Sequence, residues 1–115
     1  MCGILVWIKK KDHIDQSLFI KSINKIRHRG PDSQKVFFYN VNKNVIEDAN
    51  NYKLDNTKYF IAMGSTRYAT YDAYSRKSDM PLYSFNEQSL ISFNGDIYNY
   101  LDLKKDLIDK GIKFN

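Results

Sequence analysis

Cysteine is nearly absent. The single Cys2 excludes an intramolecular disulfide and any metal site built from several thiolates. Long apolar runs are missing as well: residues 3–8 are continuously apolar but far too short to span a membrane. The lysines at 9–11 follow that run instead of preceding it, the reverse of a secretory signal, so a cytoplasmic protein is expected. Internal repeats and low-complexity tracts are not found. No basic stripe is present either. The formal net charge of +5 comes from lysines that are scattered apart from Lys9-Lys10-Lys11 and Lys104-Lys105, which reads as diffuse surface charge and disfavours nucleic acid as a partner. At 115 residues the chain has room for one core and not two.

What is present is ordinary for a globular domain. Apolar residues make up 43% and charged residues 27%, and the 15% of aromatics argues against disorder. Residues 3–8 read as a buried strand that begins almost at the N-terminus. A helix is expected from about Asp15, a plausible N-cap, to His28, with Phe19, Ile23 and Ile26 on one face and Gly30-Pro31 as its stop. Further strands are expected at 36–41 and 59–63. Residues 42–57 read as an Asn-rich loop with a frayed strand near Val45-Ile46. Residues 65–83 read as a long connection, and in a compact domain such loops are usually functional or disordered. Asn94-Gly95 between the apolar runs 90–93 and 96–98 predicts a hairpin with a type I′ turn. A last helix is expected over 100–110, with Asn99 as cap, Leu103 and Leu107 as its apolar face and Gly111 as its stop. Another strand begins at 112–114. Strands and two helices in antiparallel-friendly order make the class α+β.

Four short segments can carry chemistry. Cys2, once Met1 is removed, would hold a thiol beside a free α-amine. An α-amine titrates at about 7.7–8.0 and can draw the proton from a thiol near neutral pH. Taken alone, Cys2 is better explained as a small apolar residue opening a buried strand, since free Cys is commonly buried. The segment His28-Arg29-Gly30-Pro31-Asp32 is, by itself, a helix end running into a turn. Arg67, expected just past a strand end, can hold a substrate carboxylate bidentately or serve a surface ion pair. A turn at Asn94-Gly95 exposes a side-chain amide and a backbone N–H together, two donors for an oxyanion.

In one chain and one order, these segments resemble the signatures of class II glutamine amidotransferases. They are Met1-Cys2-Gly3-Ile4, then Arg27-His28-Arg29-Gly30-Pro31-Asp32, then the Arg67 segment, then Asn94-Gly95-Asp96-Ile97-Tyr98-Asn99. The second and fourth blocks are most similar to the N-terminal part of glutamine-hydrolysing asparagine synthetases. Asp72 and Pro81-Leu82-Tyr83 also fall where that subfamily has an Asp and a Pro-Leu/Met pair. The Arg67 segment is similar instead to the phosphosugar and purine-pathway amidotransferases.

The resemblance implies an N-terminal-nucleophile hydrolase fold, two stacked antiparallel sheets between helix layers (α/β/β/α). It implies glutamine as substrate, hydrolysed to glutamate and ammonia through a glutamyl thioester, with no cofactor and no metal. Cys2 matches the nucleophile and its α-amine the general base. Asn94 and Gly95 match the oxyanion hole, and Arg67 matches the partner of the substrate α-carboxylate. Asp96 matches a substrate-contacting acidic residue, although the family has the longer Glu there. The family also has a later Ser-Asp-x-Glu motif, which residues 1–115 do not contain.

The expectation is therefore an N-terminal part of the amidotransferase domain without its C-terminal part or synthase domain. Such a chain would be poorly active or inactive alone and would pass ammonia to a separate synthase chain or domain. Two other readings compete with this one: a non-catalytic truncated remnant or regulatory binding module, and a small basic nucleic-acid-binding protein.

Overall fold

The computed structural model describes residues 2–49, 56–70, 75–84 and 89–114. Strand β1 (Gly3–Ile8) leads into helix α1 (Gln16–Lys25) and a 3-10 turn (Arg27–Arg29). Strands β2 (Ser33–Asn40), β3 (Val45–Asp48) and β4 (Ile61–Arg67) follow, then two short strands, β5 (Leu82–Tyr83) and β6 (Leu90–Ile91), and finally helix α2 (Tyr100–Asp109). The first four strands form one antiparallel sheet in the order β1-β4-β2-β3. The architecture is thus mixed helix and antiparallel sheet, as the order of elements predicts.

Helix α1 starts where its sequence provides for it. The Asp15 side chain accepts from the Leu18 N–H at 2.9 Å, filling one of the donor vacancies at a helix start. Phe19 and Ile23, one turn apart, are fully buried against the sheet. Residues of a strand alternate between its two faces, and Val36, Phe38 and Ala62 join Leu5 and Trp7 on the helix side. Phe19 sits at the centre, edge-on to Trp7 at 5.3 Å and to Phe38 at 5.8 Å. Burial of each such side chain stabilises the fold by about 1.5–3 kcal/mol. Tyr59 closes the far end, stacked on Phe38 and hydrogen-bonded through its hydroxyl to Glu47 of β3.

Several expectations need correction. Strand β1 is not buried on both faces: Ile4, Val6 and Ile8 are 40%, 42% and 67% exposed, because α1 covers only the side that carries Leu5 and Trp7. Strand β4 runs two residues later at its start and four at its end than expected, so Arg67 is the last residue of a strand rather than a loop residue. The cause is pairing: Arg67 lies opposite Ser33 of β2, and the apolar pattern of 59–63 alone does not show that partner.

The hairpin at Asn94-Gly95 does not form. Strand β6 pairs backwards with β5, Leu82 opposite Ile91 and Tyr83 opposite Leu90, and the Ser84 N–H donates to the Ser89 carbonyl at 2.9 Å. A type I′ turn requires positive φ at both central residues, and among the described residues only Asn44 and Gly111 have it. Beyond Gly95 the chain enters the turn that opens α2, where the Tyr100 N–H donates to the Ile97 carbonyl.

Asn99 stands at the N-cap of α2 but makes no side-chain cap bond. Leu103 and Leu107 remain 43% and 40% exposed, so the expected apolar face of the helix is not buried in a core. Gly111 does stop the helix. At φ 82° it allows the paired bonds Ile112 N–H to Leu107 carbonyl and Gly111 N–H to Ile108 carbonyl, both 2.9 Å, that satisfy the last helical acceptors. Residues 112–114 form no strand, and Asp72 lies outside the described residues.

Candidate active site

The sheet has a second face, opposite α1, and the candidate residues gather there. Gly3 pairs with Thr66 and Ile4 with Ser65, so the start of β1 lies beside the end of β4 and brings Cys2 near Arg67. The Gly3 N–H donates to Thr66 Oγ1 at 3.1 Å, and Ser65 Oγ donates to the Gly3 carbonyl at 3.0 Å. These two buried bonds fix the N-terminus on the sheet at the residue after Cys2.

The segment 27–32, locally a helix end and a turn, clamps β4 from the other side. The Asp32 N–H donates to the Arg67 carbonyl at 3.1 Å, and the Ala69 N–H donates to the Asp32 carboxylate at 2.7 Å. Gly30 is required by contact: a β-carbon there would lie 2.5–2.6 Å from the Thr66 and Arg67 backbone, closer than any side chain tolerates.

Across from Cys2 comes the 93–96 segment. The backbone N–H of Cys2 donates to the side-chain carbonyl Oδ1 of Asn94 at 3.2 Å, between residues 92 positions apart. An amide side chain has one acceptor arm and one donor arm, so this bond engages the acceptor and leaves Nδ2 as the donor. Next to it, Gly95 lies beneath the Phe93 ring, which an added β-carbon would meet at 2.7 Å.

These residues enclose one cavity of about 400 Å³, within the usual range for a small-molecule site. Cys2, Arg67, Asn94, Gly95 and Asp96 all line it, so every candidate site residue read from the sequence reaches the same space. Cys2 is partly exposed there. Phe93 and Met80 supply apolar wall, and Ser65, Thr70 and Ser78 supply hydroxyls.

Arg67 is tied into the protein as well as facing the cavity. Its Nη1 donates to the Ser75 carbonyl at 2.8 Å and to Asp79 Oδ1 at 3.2 Å. Asp79 is 1% exposed and escaped the sequence reading, because a lone Asp in a polar connection carries no spacing signal. Ser33, which donates to Asp79 Oδ1 at 2.7 Å, escaped it for the same reason.

Comparison with known proteins meets this geometry from the other direction. A model of the glutamine amidotransferase domain family matches residues 47–115. Over its whole length the chain is 30% identical to a glutamine–fructose-6-phosphate aminotransferase of Fusobacterium nucleatum, of which it covers 20%. It is 32% identical to a putative asparagine synthetase of Methanocaldococcus jannaschii (91% of this chain, 20% of that protein). It is also 32% identical to an asparagine synthetase of Bacillus subtilis (100% of this chain, 16% of that protein). The chain thus spans a fifth or less of the length of these relatives. Both kinds of relative match, in keeping with an Arg67 segment of one kind beside Arg-Gly-Pro-Asp and Asn-Gly blocks of the other. No solved structure matches the chain, and among the described residues no helix is long and apolar enough to cross a membrane. By the family match over residues 47–115, and by its Cys2, Arg-Gly-Pro-Asp and Asn-Gly blocks, this chain belongs to the glutamine amidotransferase domain family.

Proposed function

We propose that this chain is the N-terminal part of a domain that hydrolyses the side-chain amide of glutamine, with Cys2 as the nucleophile. The observation that carries the reading is the 3.2 Å bond between the Cys2 nitrogen and Asn94 Oδ1, at a cavity that Arg67, Gly95 and Asp96 also line. Removal of Met1 turns that nitrogen into an α-amine, and Asn94 then holds the base beside the thiol it must deprotonate.

The amine takes the thiol proton, and the thiolate sulfur attacks the amide carbon of glutamine. Negative charge moves to the carbonyl oxygen, where the Gly95 N–H and Asn94 Nδ2 donate to it. The C–N bond breaks, the ammonium group returns its proton to the leaving nitrogen, and ammonia departs from a glutamyl thioester. Water, deprotonated by the same amine, cleaves the thioester to glutamate and restores the thiol. Arg67 pairs with the substrate α-carboxylate, and Asp96, which lines the same cavity, contacts the substrate. Phe93 and Met80 flank the methylenes between.

On this reading the two sheets belong to the first part of an N-terminal-nucleophile sandwich in a cytoplasmic enzyme. The ammonia passes to a synthase, in the same polypeptide or in a separate one, as the names of the relatives suggest.

The test is glutamate release by the full-length protein with Met1 removed. Release should vanish in Cys2→Ala, and also when a Glu inserted between Met1 and Cys2 keeps the methionine in place. Hydrolysis that survives either change rejects the assignment.

A further inference from the structure

A carboxylate buried to 1% exposure is costly unless its neighbours compensate it, and the chemistry proposed above makes no use of Asp79. Its surroundings are built. Oδ1 accepts from Ser33 Oγ at 2.7 Å and from Arg67 Nη1 at 3.2 Å. Oδ2 faces Arg76 Nη1 at 3.8 Å and has no hydrogen-bond partner among the described residues. The Arg67 side chain is itself only 12% exposed, and the same Nη1 is held from behind by the Ser75 carbonyl. One edge of the guanidinium is thereby fixed from two sides, while the residue lines the cavity.

Charge and geometry pull in opposite directions here. Asp79 cancels the charge of Arg67, which by itself would weaken the attraction for an anion. Arg76, 79% exposed, restores one net positive charge to the cluster. What the carboxylate adds is direction: a planar guanidinium recognises a carboxylate through two parallel bonds, and that recognition fails when the plane is free to turn.

We propose that Asp79 is a positioning residue that, with Ser33, locks the Arg67 guanidinium as the carboxylate-recognising wall of the cavity and so sets the affinity for the substrate α-carboxylate. This rests on the reading of Arg67 given above. Asp79 touches neither the thiol nor the scissile amide, so it governs KM and leaves kcat alone.

The sign of the effect distinguishes orientation from charge. In the full-length, Met1-processed protein, Asp79→Asn keeps the shape and an acceptor for Ser33 but removes the negative charge. It should raise the KM for glutamine about tenfold, the scale of losing one hydrogen bond to a charged group, with kcat within about threefold. Alkylation of Cys2 by iodoacetamide, a neutral reagent without a carboxylate, should proceed at the parental rate. Ser33→Ala, which leaves every charge in place, should raise KM severalfold with the same unchanged alkylation. A KM that stays constant or falls in both variants overturns the proposal, and so does a parallel change in KM, kcat and alkylation, which marks a merely structural role. If the parent protein does not hydrolyse glutamine through Cys2, the functional assignment fails and this inference with it. That outcome is read from the parent alone, before any variant is compared.

Discussion

Gly30 and Arg67 touch backbone to backbone. No β-carbon fits between them: one on Gly30 would stand 2.6 Å from the Arg67 nitrogen. The turn that ends the first helical segment therefore sets the position of the strand end that carries a cavity residue. Gly30→Ala should push β4 aside, with an overpacking cost of about 1–3 kcal/mol. Urea unfolding reads that loss, and a raised KM for glutamine should accompany it. A variant with parental stability and KM would show that the contact is dispensable.

Asn94 has two tasks on the proposed reading, holding the Cys2 nitrogen and donating to the oxyanion. Asn94→Ala should lower kcat about 10²–10³-fold, the usual effect of losing one oxyanion donor, with a much smaller change in KM. Asn94→Asp keeps the acceptor for the Cys2 nitrogen but has no amide donor, so it should lie near the Ala variant in kcat. Steady-state rates of glutamate release separate these cases. An Asp variant with parental kcat would remove Asn94 from the oxyanion hole.

Phe19 is fully buried between Trp7 and Phe38. Phe19→Ala should destabilise the fold by about 3–5 kcal/mol, measured as a shift in the denaturant midpoint with little change in slope. A loss under 1 kcal/mol would mean that α1 does not pack as described.

The Asp15 cap offers a milder check. Asp15→Ala should cost about 1 kcal/mol and Asp15→Asn or Asp15→Ser considerably less, since each retains an oxygen for the Leu18 N–H. Equal losses in all three variants would contradict the cap.

Elements whose signals are local were readable from the residues alone. The Asp15 cap with Phe19 and Ile23 behind it defines α1, and Gly111 marks the end of α2. The members of the candidate site were also legible, because Cys2, Arg67 and Asn94-Gly95-Asp96 keep a recognisable order. What escaped was pairing. Asn-Gly suggests a hairpin of its own, but β6 pairs with β5 and the Asn94 side chain bonds across to Cys2. Asp79 escaped because its partners, Ser33 and Arg67, lie 46 and 12 residues away, and no local pattern encodes such distances. The exposed side of β1 differs from its uniformly apolar sequence because burial depends on what covers a strand, not only on the strand itself.

The bond between Cys2 and Asn94 joins residues 92 positions apart, and this gives the site a history. At about 5–20 residues per second, a ribosome makes the thiol on the order of 5–20 s before it makes the amide that faces it. Through that interval the Met1 removal that the proposed reading requires meets no cavity around Cys2. The cavity is complete only with the 93–96 segment in place, since Phe93, Asn94, Gly95 and Asp96 line it. On the proposed reading, the direction of translation gives removal of Met1 the first opportunity, ahead of the assembly of the pocket.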